Sequence, residues 1–154
     1  MREVINFTGN NFYTNEEAVL PIRTAAKMIG ISIPTLRMYE REGLIIPHKS
    51  PGNQRLYSAN DIRRIERFRR DIKKRKISIN GVLTILSMLP CQLIINCSEK
   101  DRENCEAFHE IKNPCWTYKH SNNICGNIDC RECEIYKNNY DCESTMDTII
   151  ARYK

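Results

Sequence analysis

Apolar positions in the first ninety residues recur at helical and strand spacings in a definite order. From Pro21, the residues Ile22, Ala25, Ala26, Met28 and Ile29 fall three and four apart and stop at Gly30, which predicts a short helix opened by proline and closed by glycine. Ser32 predicts the cap of a second helix that carries Thr35, Leu36, Tyr39 and Glu40 and ends at Gly43. Two short helices joined by a tight turn make a helix-turn-helix. Next come Leu44, Ile45 and Ile46, the turn formers Pro47, Ser50, Pro51, Gly52 and Asn53, and the alternating Arg55-Leu56-Tyr57, the pattern of a hairpin or wing. Ser58 predicts the cap of a longer helix with the stripe Ile62, Ile65, Phe68 and Ile72. A further helix runs from about Ser78 to Leu89, where Pro90 ends it, and residues 1 to about 19 read as a polar arm.

Beyond Pro90 the aliphatic periodicity fades and an internal repeat replaces it. One copy reads Pro90-Cys91, Cys97, then Cys105-Glu106-Ala107-Phe108; the other reads Pro114-Cys115-Trp116, Cys125, then Cys133-Glu134-Ile135-Tyr136. Cys130 and Cys142 are additions to the second copy. A segment with so few large aliphatics needs staples, and a bound metal or cluster supplies folding energy that a core does not. The expected organisation is an arm over 1–20, a winged helix-turn-helix over 21–89, and a small irregular cysteine-rich metal- or cluster-binding domain over 90–154, mainly α overall.

Charge divides the chain at the same place. Residues 1–89 carry 16 Lys and Arg against 8 Asp and Glu, whereas residues 90–154 carry 8 against 11. A basic first half concentrates polyanions, which points to double-stranded DNA as partner. All 8 cysteines lie in the second half. With no leader-like pattern and no apolar run of membrane-spanning length, the expected setting is the cytoplasm and no membrane, where clustered cysteines serve as ligands more often than as disulfides.

The string "TLRMYEREGLI", followed closely by "NQRLYSANDIRRI", resembles the MerR family of transcription regulators, in their recognition helix and Arg-Leu-Tyr wing. The likeness spans about Pro21 to Leu89, and the wing is closest to the heat-shock and glutamine-repressor branches. It implies a winged helix-turn-helix that binds DNA as a homodimer. In such a helix Ile33, Thr35 and Arg37 face base edges, while Tyr39, Arg41, Lys49, Arg55 and Tyr57 hold the backbone. Glu40 is expected to pair with a nearby arginine. Two departures stand out: Met38 replaces a family aromatic, and no long coiled-coil helix follows Leu89.

Cys125, Cys130 and Cys133 are spaced C-x4-C-x2-C, as in plant-type ferredoxins, and the same run can wrap zinc. The C-x2-C-x-C-x5-C run of the family's iron–sulfur sensor is not reproduced; the segment resembles instead the Cys-Trp repeat behind MerR-like domains of some anaerobic bacteria. Candidate ligands are Cys91, Cys97, Cys105, Cys115, Cys125, Cys130 and Cys133. Soft thiolates select an iron–sulfur cluster ([4Fe-4S] or [2Fe-2S]) or, alternatively, zinc. His109 and His120, in a polar stretch, are expected to be solvated. No phosphate loop, HExxH or activated nucleophile occurs, so no enzyme is expected. The leading expectation is a redox-sensing regulator; the alternatives are a zinc-binding regulator and a zinc-binding protein-interaction module.

Overall fold

The computed structural model describes residues 15–154. The first fourteen residues of the expected arm lie outside the described residues. Helix α1 (Ile22–Ile29) follows Pro21 and ends at Gly30, whose φ of 76° is the left-handed conformation that glycine adopts without cost. Helix α2 (Ile33–Glu42) starts where the Ser32 hydroxyl accepts the Thr35 amide at 3.2 Å, and stops at Gly43 with φ 88°. Three short antiparallel strands follow the order β1-β3-β2: β1 (Leu20–Pro21), β2 (His48–Lys49) and β3 (Arg55–Tyr57). Lys49 faces Arg55 across the wing, and Leu20 faces Tyr57. The pairing of β1 with the wing was not legible in the sequence, since two residues carry no period.

Helix α3 (Ala59–Arg75) begins with a reciprocal cap between Ser58 and Asp61, and α4 (Ile79–Ser87) is capped by Ser78. The remaining chain is more regular than expected. It forms α5 (Cys91–Ile94), α6 (Glu99–Glu103), α7 (Glu106–His109), α8 (Glu134–Asn138) and α9 (Cys142–Tyr153), with 3-10 turns at Cys115–Thr117 and Ile124–Asn127. The two repeat copies fold alike at their ends. Pro90 and Pro114, both buried, each precede a short helical turn begun by Cys91 or Cys115, while Cys105 and Cys133 each cap the helix that follows.

One core serves both halves. Leu36, Leu44, Ile45, Ile65, Phe68, Val82 and Leu86 pack in the same cluster as Trp116, Ile135 and Tyr136. Residues 90–154, expected to hold too few large aliphatics for a second core, add Trp116 and the Ile-Tyr end of the second copy to this one. Helix α9 packs against α4, burying Cys142 and Thr145. Among the described residues, no single helix is long and apolar enough to cross a membrane.

Candidate functional site: the recognition helix and the cysteine cavity behind it

Arg37, Arg41 and Lys49 are exposed, and Thr35 and Ile33 are half-buried at the start of α2. Thr35 Oγ1 lies 2.8 Å from the capping Ser32 hydroxyl. Arg55 on the wing donates from Nε to Glu40 Oε2 at 2.6 Å. That pair ties β3 to α2, as expected for Glu40, and it raises the Arg55 pKa through the hydrogen bond and the carboxylate charge. One of the residues expected to hold the DNA backbone, Tyr57, is a core residue instead. Tyr39 is buried, and Tyr57 is wholly so, its hydroxyl included; burial lifts that phenol to about 12. A buried hydroxyl does not reach a phosphate, so the assignment of Tyr57 to DNA is withdrawn.

Seven thiols line one cavity: Cys91, Cys97, Cys105, Cys115, Cys125, Cys130 and Cys133. These are the seven candidate ligands, six from the two repeats and the added Cys130, and Cys142 stands apart, buried beside Asp71. The cavity encloses about 40 Å³, with walls that are almost wholly apolar apart from sulfur. All eight cysteines are free thiols. Cys91 and Cys115, the matching first cysteines of the two copies, shift each other: interaction with the Cys115 thiol draws Cys91 down to about 7, and the Cys91 thiol drives Cys115 well up. Burial pushes Cys125 up to about 12, with the thiols of Cys91, Cys133, Cys105 and Cys97 adding to the effect, and burial raises Cys97 and Cys130 as well. A cation bound among thiols raised in this way would have to displace their protons. Among the described residues, no group of three or more His, Cys, Asp or Glu side chains is already arranged to hold a metal ion.

His109 is exposed, as expected, but His120 is half-buried. Its ring lines the thiol cavity, Nε2 lies 2.9 Å from the Cys115 carbonyl oxygen, and Nδ1 is buried with no partner among the described residues. An orphaned donor atom in a thiol-lined cavity fits a metal-bearing group.

The wall of that cavity is fastened to the end of the recognition helix. Trp116, beside Cys115, donates from Nε1 to the carbonyl of Gly43 at 2.7 Å. Tyr136, three residues beyond Cys133, receives the Ile46 amide on its hydroxyl at 3.0 Å. Arg131, between Cys130 and Cys133, donates to the Ile46 carbonyl and pairs with Asp61 at 2.9 Å. Arg64 of α3 is buried under the rings of Phe68, Trp116 and Tyr136, at 5.1, 5.2 and 4.0 Å, and donates to the carbonyls of Leu44, Tyr136 and Asn139. Burial lowers its pKa, and the aromatic faces and carbonyls compensate the charge. Residues 43–46, the link from α2 to the wing, are thus held by side chains that belong to the cysteine segment or stack on it. Spacing alone did not reveal this anchorage, because it joins positions some seventy to ninety apart.

The family described as MerR HTH family regulatory protein matches residues 20–89. A Streptomyces coelicolor protein that carries the name heat shock protein HspR is 32% identical over 75 residues, covering 49% of this chain. The chain spans about half the length of that curated relative. No solved structure matches.

Proposed function

Residues 20–89 form a MerR-family helix-turn-helix domain, and from that premise we propose that the protein is a DNA-binding transcription regulator whose cysteine segment binds an iron–sulfur cluster and reports redox state to the recognition helix. The observation that carries this reading is the seven-thiol cavity whose wall is bonded to residues 43–46, directly behind α2. Gain or loss of a centre held by these thiols changes the packing of Trp116 and Tyr136, and with it the support of the helix that meets the major groove. Coupling of this kind needs a free-energy difference between two states, and a site complete in only one redox or metal state supplies it. Seven thiols, more than the four that a single tetrahedral zinc takes, together with the C-x4-C-x2-C run, support a cluster over one zinc ion. Binding as a homodimer in the cytoplasm belongs to the same proposal, since two-fold operators mirror two-fold proteins.

The test starts with anaerobically purified full-length protein. Iron and acid-labile sulfide with a broad visible absorption support the cluster; zinc alone, colourless, overturns it. DNA affinity is then measured before and after oxidation or chelation, and in a Cys125→Ser/Cys130→Ser/Cys133→Ser variant. The expected result is a change of about five-fold or more between states, with the variant locked in one of them. Equal affinities throughout would leave the segment a structural staple.

A further inference from the structure

We infer that His120 ligates the metal centre of the thiol cavity through Nδ1, giving that centre a mixed sulfur and nitrogen shell. The inference rests on the cofactor reading above and deepens it by naming a ligand that the cysteine spacing does not contain. Three observations converge on it. The ring forms part of the cavity wall alongside the seven thiols. Its Nε2 faces the Cys115 carbonyl at 2.9 Å, and because a carbonyl oxygen only accepts, Nε2 carries the proton and donates it. In the tautomer protonated at Nε2 the lone pair lies on Nδ1, and that atom is buried without a partner among the described residues.

A buried, unpaired imidazole nitrogen is costly beside apolar walls unless something binds it. The pattern of one ring nitrogen donating to a backbone carbonyl while the other is free is how protein structures orient a histidine for a metal. The carbonyl belongs to Cys115, itself a cavity thiol, so ligand and orienting group move together. The backbone is tightly set as well: a Cβ on Gly126, next to Cys125, would stand 3.0 Å from the His120 carbonyl oxygen, so this loop closes against the His120 backbone. A neutral imidazole in place of a thiolate leaves the centre one unit less negative, which raises its reduction potential. Such a centre is reduced more readily than one held by thiolates alone.

X-ray absorption at the edge of whichever metal the full-length protein holds, iron or zinc, tests the assignment directly. The expected shell contains a light scatterer at about 2.0 Å in addition to sulfur at about 2.3 Å, and His120→Ala loses the light scatterer. In an iron-loaded, reduced sample, pulsed electron paramagnetic resonance is expected to show a strongly coupled nitrogen that changes on uniform ¹⁵N labelling. Neither measurement on the parent protein needs a variant, so misfolding of His120→Ala leaves the test intact. His120→Cys is expected to keep the centre and lower its potential. A metal-loaded parent with a sulfur-only shell and no coupled nitrogen overturns the role of His120 and leaves the cofactor reading standing. A parent that holds neither iron nor zinc overturns both.

Discussion

At the scale of single residues, the exposed positions of the helix-turn-helix divide by the kind of contact they can make. Arg37 is exposed on α2 and Lys49 on the wing; under the proposed DNA-binding reading the guanidinium would grip a guanine edge and the ammonium a phosphate. Arg37→Ala is expected to cost about 1–3 kcal/mol on the specific operator and much less on unrelated DNA. Lys49→Ala is expected to weaken both alike and to reduce the slope of log affinity against log salt by about one. Glu99→Ala, on α6, should leave all of these values in place. Titrations of each variant at several salt concentrations decide the matter; an Arg37→Ala protein with unchanged discrimination would mean that α2 docks differently. Tyr57 was not legible as a core residue, because a tyrosine suits a phosphate and a core equally well, and only packing showed which applies.

At the scale of elements, the end of α2 is the place where the two halves of the chain meet. Gly43 is required there twice over. Its φ of 88° is strained for any residue with a Cβ, and a Cβ at that point would collide with the Thr117 methyl, next to Trp116. Gly43→Ala is therefore expected to lower stability by about 1–3 kcal/mol, read from urea unfolding. Gly30→Ala serves as comparison: it carries the same kind of positive φ but meets nothing within 4 Å, so it should be the milder of the two. Equal losses in both proteins would show that contact with the cysteine segment adds nothing. Helix α9 shows why part of the architecture was missed. Its inward face is Cys142, Thr145 and half-buried Ile149, while Met146, Ile150 and Tyr153 are exposed, so hydrophobic periodicity marks the wrong side.

At the scale of the whole molecule, the shared core bears on whether the winged half stands alone. The sequence suggests that residues 21–89 fold and bind DNA independently. In the structure, a fragment ending at residue 89 loses Trp116, Ile135 and Tyr136 from its core, two carbonyls and two rings around Arg64, and the bonds that hold Gly43 and Ile46. Such a fragment is expected to unfold at lower urea with a shallower transition than the full chain, and to bind its operator more weakly. Full-strength binding and a sharp, unshifted transition from the fragment would show that the shared packing is dispensable.

The sequence by itself determined whatever depends on neighbours in the chain. The order of helices, turns and wing follows from capping serines, C-terminal glycines and apolar spacing, all local within a few residues, and the family likeness of residues 20–89 rests on the same stretch. It also marked the seven cysteines as a group, because repetition is visible in one dimension. Only the tertiary structure decided that both copies close around one cavity, that His120 turns inward to join it, and that Trp116, Arg131 and Tyr136 fasten it to residues 43–46. Those arrangements pair positions far apart along the chain. Burial and hydrogen-bond satisfaction select them collectively, and no local propensity encodes the choice.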